Sequence, residues 1–100
     1  MDCQILEQGG VVTIILPERF QDEKAAVIQQ MLMKKFEQGS RQLVVDFSGV
    51  VYIDSSGLSV LLALHKQASA SGGGVVLKKL NNDVRNFFAL TCLDRVFAIE

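Results

Sequence analysis

The sequence alternates short aliphatic runs with segments of helical periodicity, and this alternation constrains the fold more than any other feature. The aliphatic runs cover residues 11–16, 43–47 and 75–77. Short runs rich in β-branched residues and bounded by Gly, Pro or Ser are typical of strands. Because both alternating faces of residues 11–16 are apolar, the pattern predicts a strand that is covered on both sides there, and buried strands at residues 43–47 and 75–77.

Helical periodicity follows each aliphatic run. From Asp22 to Gly39 one stripe of a helix is apolar, and it consists of Ala25, Ile28, Leu32 and Phe36. A second helix follows residues 54–57 and ends at the Ser-Gly-Gly-Gly of residues 71–74. Its predicted inward face comprises Leu58, Leu61, Leu62, His65 and Ala68. A third, shorter helix over residues 81–90 is predicted to begin at an Asn81 or Asn82 cap, with Val84, Phe87 and Phe88 inward.

The remaining segments complete a sheet. Residues 4–7 predict an edge strand joined to the next strand by a Gly9-Gly10 hairpin turn, and residues 96–99 a last strand. Strands that alternate with helices form parallel crossovers. The predicted fold is therefore α/β: a mixed, largely parallel sheet of four to five strands, with an N-terminal antiparallel hairpin and three to four helices. A length of 100 residues predicts a single domain over residues 1–100.

Charge and cysteine content exclude several classes of partner. Ten basic and eleven acidic residues are interspersed, so a nucleic-acid-binding surface is not expected. Cys3 and Cys92 have no companions at metal-ligand spacing, which indicates reduced thiols in a cytoplasmic protein. The acidic start of the chain resembles neither an export signal nor a membrane span, so no membrane association is expected.

The chain carries no recognisable catalytic constellation. A nucleophilic serine needs a base, yet His65 lies ten residues beyond Ser55 on the same predicted helix, almost three turns away. The glycines of residues 72–74 lack the lysine and serine of a phosphate-binding loop. We therefore predict that the protein is not an enzyme and that it needs no cofactor or metal.

The junction before the second helix is the most informative site. Asp54, Ser55 and Ser56 are all good N-cap residues, so the simplest interpretation is a helix start. Two hydroxyls are nevertheless more than one cap requires, and the junction lies beyond the carboxyl ends of the strands, where α/β sheets bind ligands. Either Ser56 caps the helix and leaves Ser55 available, or both serines are ordinary caps.

Residues 43–58, LVVDFSGVVYIDSSGL, carry a resemblance to a known family. With the Gly72-Gly73 turn and residues 84–88, 93 and 96–97, this segment resembles the STAS domain family, and specifically its stand-alone bacterial anti-sigma factor antagonist branch. The resemblance implies the STAS fold and a role in transcription regulation. It also implies that Ser55, directly after the aspartate, is the phosphorylation site.

The resemblance further implies a cycle of partner switching. The unphosphorylated protein would bind an anti-sigma factor that is also a serine kinase of the GHKL ATPase type, and a PP2C-type phosphatase would remove the phosphate. The implied partner-binding residues are Asp54, Ser55, Ser56, Gly57, Leu58 and Ser59, with core packing as an alternative role for Leu58. The protein is expected to be a monomer or weak dimer. The alternative function is that of a STAS subunit in a lipid-transport ATPase complex, with the serine unmodified.

Two departures from the family pattern stand out. Relatives usually have Gly-x-Leu-Asp after the second strand, whereas this chain has Glu18, Arg19, Phe20 and Gln21. The aspartate of that pattern is therefore missing unless Asp22 takes its place. Relatives also typically continue into a last helix beyond the position of Glu100.

Overall fold

The computed structural model describes residues 3–100, and its strands and helices alternate along the chain. In chain order they are β1 Gln4–Gln8, β2 Val11–Ile15, β3 Arg19–Phe20, α1 Asp22–Glu37, β4 Gln42–Asp46, β5 Tyr52–Ile53, α2 Ser55–Ala70, β6 Gly74–Lys78, α3 Asn82–Leu90, the 3-10 helix Leu93–Arg95 and β7 Ala98–Ile99. Within these residues, no helix has the length and apolar character needed to cross a bilayer.

Five strands form the main sheet in the order β1-β2-β4-β6-β7. β1 pairs antiparallel with β2, while the β2-β4, β4-β6 and β6-β7 pairs are all parallel. The hairpin turn has Gly9 and Gly10 at φ 59° and 82°, a left-handed region that glycine adopts without steric cost. The predicted fold class is confirmed: a mixed, largely parallel sheet with an N-terminal hairpin and three α-helices.

The hydrophobic core lies on one face of the sheet. Burial alternates along β2, β4 and β6, so that Ile14, Val45 and Leu77 are fully enclosed. Thr13, Val44 and Val76, which the register aligns in one row on the opposite face, are half-buried. The prediction that β2 is covered on both sides is therefore wrong, and β4 and β6 are likewise buried on one face only. Right-handed crossovers that proceed in one direction across the sheet place every helix on the same face.

The helices match their predicted extents better than their predicted faces. In α1 the buried residues are the four of the predicted stripe, Ala25, Ile28, Leu32 and Phe36. In α2 the inward placement of Leu62 is wrong: it is 41% exposed, whereas Val60 and Leu64 are buried. The true stripe runs through residues 57, 61, 64 and 68, and Leu62 falls about 100° from Leu61 around the helix.

In α3 the predicted cap is confirmed, because the Asn81 side chain accepts a hydrogen bond from the backbone N–H of Val84 at 2.9 Å. Val84 and Phe88 are buried as predicted. Phe87 is 38% exposed, so its inward placement is wrong. It lies on the edge of the apolar stripe, where its ring contacts that of Phe88 at 6.3 Å between centroids.

Candidate functional site at the start of the second helix

A short parallel strand pair, β3 with β5, positions the chain before α2. Arg19 pairs with Tyr52, and Phe20 pairs with Ile53. The Glu18 carbonyl extends the contact by accepting hydrogen bonds from the N–H groups of Val51 (2.8 Å) and Tyr52 (3.2 Å). Sequence analysis missed both strands, since two residues are too few to show strand periodicity. Residues 18–20, which belong to the segment where this chain departs from the family pattern, therefore lie directly against residues 51–53, which lead to Ser55.

Asp54 caps α2. Its backbone is extended (φ −110°, ψ −173°) and its carboxylate accepts a hydrogen bond from the N–H of Gly57 at 3.0 Å. A carboxylate at this position also interacts favourably with the positive end of the helix dipole. Of the three candidate caps that the sequence offers, Asp54 is the one used, and the alternatives in which Ser56 or both serines cap the helix are wrong. Because Asp54 supplies the cap, neither hydroxyl is needed for it; Ser55 is exposed and Ser56 is half-buried.

Replacing Asp54 with alanine is expected to lower the free energy of unfolding by about 1 kcal/mol, because the Gly57 N–H loses its side-chain acceptor. Asp54→Asn keeps an acceptor oxygen and should cost less. Urea denaturation followed by circular dichroism measures both changes. Equal losses in the two variants would show that charge, and not the cap hydrogen bond, is what Asp54 contributes.

Gly57 fixes the position of the helix start. A Cβ atom at Gly57 would lie 2.5 Å from the backbone oxygen of Phe20 and 2.9 Å from Cγ1 of Ile53. Real Cβ atoms do not approach backbone oxygens this closely, so α2 can pack against β3 and β5 only with glycine here. Ser55 lies in the same helical turn, and its location is therefore set by the packing of Gly57.

The other predicted site residues divide between the surface and the core. Ser59 is exposed one turn after Ser55, and Leu62 and Lys66 continue the same exposed face of α2. Leu58 is half-buried and packs against the hydrophobic core, which favours the packing role for this residue.

His65 is remote from Ser55, as the sequence predicts. The two residues are separated by about 15 Å along the axis of α2. The His65 ring makes an edge contact with Phe97 at 5.3 Å between centroids. Its Nδ1 atom is buried and has no hydrogen-bond partner among the described residues. The histidine therefore packs within the protein and cannot serve Ser55 as a base.

An exposed surface that sequence analysis did not single out borders the site. Val51 is 65% exposed and Tyr52 is 46% exposed. The guanidinium carbon of Arg19 lies 5.7 Å from the centroid of the Tyr52 ring, within cation–π distance. An arginine four residues after the end of β2 and an aromatic residue before the motif were the available signals. They carry no information about pairing unless the β3-β5 register is known.

Asp46 organises the loop between β4 and β5. Burial raises the pKa of its carboxyl group, but hydrogen bonds from Ser48 and the nearby Lys79 ammonium outweigh burial, so the net shift is downward. The Ser48 N–H donates to Asp46 at 2.7 Å, and the Lys79 Nζ lies 3.7 Å from its carboxylate. The ionised Asp46 therefore holds the turn at Ser48.

In residues 3–100, no group of three or more His, Cys, Asp or Glu side chains is placed to hold a metal ion.

Comparison with known proteins identifies the family. The family model described as "Mlab, STAS domain" matches residues 3–99. The chain belongs to the STAS domain family. A relative named "Putative anti-sigma factor antagonist BtrV", from Bordetella bronchiseptica, is 31% identical over 90 residues, which cover 90% of this chain and 71% of the relative. A relative from Thermotoga maritima, named "Putative anti-sigma factor antagonist", is 31% identical over 90 residues, which cover 88% of this chain and 80% of the relative.

Solved structures of stand-alone antagonists share the fold. The crystal structure of a Thermotoga maritima protein described as a "putative anti-sigma factor antagonist" matches with a TM-score of 0.86 at 28% identity, over 96% of this chain and 83% of that chain. Unphosphorylated SpoIIAA matches with a TM-score of 0.86 at 20% identity, over 98% of this chain and 87% of that chain. At 20% identity the second match bears on the fold alone.

Proposed function

We propose that the protein is an anti-sigma factor antagonist whose binding is controlled by phosphorylation of Ser55. In its unphosphorylated form it binds an anti-sigma factor that is also a serine kinase of the GHKL ATPase type. Phosphorylation releases it, and a PP2C-type phosphatase restores it. The names of the relatives support the role of antagonist. The observation that supports the switch is that Ser55 is exposed and its hydroxyl is not needed to cap α2, because Asp54 caps the helix.

The start of α2 can accept a phosphate without unfolding. The N–H groups of the first helical turn have no intrahelical acceptors, and that of Gly57 is already bonded to Asp54. Those of Ser55 and Ser56 remain for a phosphate, which the positive end of the helix also favours. The protein itself should therefore keep its fold when Ser55 is modified.

A bound partner would not accept the same phosphate. The dianion would stand next to the Asp54 carboxylate in the contact, where desolvation and like-charge repulsion both act. A loss of about 3–4 kcal/mol would weaken binding by roughly two to three powers of ten. That change is large enough to exchange one partner for another.

Phosphate transfer from labelled ATP by the cognate kinase tests the assignment. Ser55→Ala is expected to abolish labelling, because the acceptor hydroxyl is gone. Two matched variants, Ser56→Ala and Ser59→Ala, remove a neighbouring hydroxyl and should still be labelled. Mass spectrometry of the labelled wild-type protein should locate the phosphate on Ser55. Undiminished labelling of Ser55→Ala would rule out Ser55 as the acceptor.

A second candidate is a STAS subunit of a lipid-transport ATPase complex, in which Ser55 stays unmodified. The matching family model is described as "Mlab, STAS domain", and this description does not mention an antagonist. We therefore keep the second candidate. The two functions differ in one measurable property. A transport subunit would co-purify with an ATPase that transfers no phosphate to Ser55, whereas an antagonist would be phosphorylated by its partner.

A further inference from the structure

We propose that Arg19, Val51 and Tyr52 form a contact surface that binds a carboxylate beside an apolar side chain on the partner protein. We call these three residues the β3-β5 surface. The inference rests on the proposed function for the identity of the partner, an anti-sigma factor kinase. It adds the chemistry by which that partner is recognised.

The backbone gives the β3-β5 surface a fixed arrangement. Because residues paired across parallel strands share a face, Arg19 and Tyr52 lie together on the solvent side. Phe20 and Ile53 lie on the other side; Phe20 is completely buried, and Ile53 packs against the core. Phe20 and Ile53 hold the backbone of the exposed residues Arg19 and Tyr52 in place, so little conformational entropy is lost when a partner binds.

Arg19 has a charge that the protein itself does not neutralise. Among the described residues, its guanidinium group makes the cation–π contact with Tyr52 and has no ion-pair partner. A guanidinium group that stacks on a ring still presents N–H donors at its edge, and these fit a carboxylate in a bidentate manner. A single carboxylate is thus the complementary group.

The charges around Arg19 favour one carboxylate over a broadly acidic surface. In residues 18–22 and 51–59 Arg19 is the one basic residue, and the acidic residues are Glu18, Asp22 and Asp54. These carboxylates would repel a partner with dense negative charge. A partner that presents one acidic group within an apolar patch avoids that repulsion and gains the ion pair.

The apolar part of the surface supplies the other half of the contact. Val51 and Tyr52 are the exposed apolar side chains nearest in sequence to the Asp54-Ser55 junction, at 65% and 46% exposure. Arginine and tyrosine are enriched among residues that dominate binding energy when an apolar surround excludes water from them. Arg19 and Tyr52 already stand together in the contact between the guanidinium group and the ring, and Val51 is exposed next to Tyr52 in the chain.

The position of this surface also explains the direction of the switch. Tyr52 precedes Ser55 by three residues, and the packing of Gly57 against Phe20 joins β3 to the helix start. A partner carboxylate held by Arg19 would therefore lie in the same contact as a phosphate on Ser55. Two negative groups in one dehydrated contact repel each other, so phosphorylation expels a partner of this chemistry.

Isothermal titration of the cognate kinase with charge variants at Arg19 tests the inference. Arg19→Ala is expected to raise the Kd at least tenfold, or about 1.4 kcal/mol. Arg19→Lys should have an intermediate effect, since lysine keeps the charge but lacks the planar pair of donors. Arg19→Glu should raise the Kd further, by more than a hundredfold. Thermal unfolding of each variant verifies that the exposed substitution leaves the fold intact.

Arg41→Ala is the matched control, because Arg41 is also exposed but lies next to the amino end of β4, at the other end of the strand from the site. Its Kd should stay within twofold of the wild-type value. If the kinase binds and phosphorylates the wild type, and Arg19→Ala binds as tightly, the β3-β5 surface is not the contact while the proposed function stands. If the wild type neither binds nor is phosphorylated, both proposals are wrong.

Discussion

Replacing Phe88 with alanine is expected to lower the free energy of unfolding by about 3–5 kcal/mol. Phe88 is completely buried in α3, and its ring contacts those of Phe47 and Phe97 at 6.1 Å between centroids. Truncation would leave a cavity between α3, the residue after β4 and the segment before β7, and would remove three aromatic contacts, with Phe47, Phe87 and Phe97. Because small domains are stable by about 5–15 kcal/mol, this single change should remove a large part of the total.

The neighbouring residue provides the control for Phe88. Phe87→Ala removes the same atoms from the same helix, but Phe87 is 38% exposed. We expect a loss of about 1 kcal/mol, which comes from its contact with Phe88. Urea denaturation of both variants, followed by circular dichroism, gives the comparison. Similar losses for the two variants would contradict the one-sided burial of α3.

Gly57→Ala is expected to destabilise the protein by about 1–3 kcal/mol, although alanine is the better helix former. In an unconstrained helix the same change would add about 1 kcal/mol of stability. Here the new methyl group would meet the backbone oxygen of Phe20 at 2.5 Å, and a backbone atom cannot rotate away. The helix start must shift, so phosphorylation of Ser55 should slow as well.

Gly49→Ala is the control for Gly57. Gly49 is exposed in the turn after β4, and a Cβ atom there has no neighbour within 4 Å. We expect its free energy of unfolding to stay within about 0.5 kcal/mol of the wild type. Chemical denaturation measures stability, and the initial rate of phosphate transfer measures the site. Increased stability of Gly57→Ala would mean that α2 is not held against β3 as described.

Local sequence patterns were sufficient where the determinant is local. The buried stripe of α1 could be predicted in full, because sixteen helical residues contain several repeats of its period. The Asn81 cap could also be predicted, since it depends on residues three apart in sequence. The family pattern led to Ser55, and its role as phosphate acceptor stays a prediction.

Features that depend on distant partners could not be predicted. The pairing of Arg19 with Tyr52 joins two segments more than thirty residues apart through strands of two residues. Coverage of the sheet on one face follows from strand order, which the apolar character of Val44 or Val76 does not encode. Asp54 was one of three adjacent competent caps, and the choice among them could not be predicted because only the backbone geometry selects it.

The close contact between Gly57 and the Phe20 carbonyl has a consequence for how a signal at Ser55 can be transmitted. The packing has no space for an added methyl group, so if Ser55 is phosphorylated as we propose, we expect the phosphate to act where it stands and not through a shift of α2. Under the proposed function, the partner would then recognise the phosphate directly, as a change of charge at the surface. The rate of switching would in that case follow the turnover of the proposed kinase and phosphatase, and not a motion within the domain.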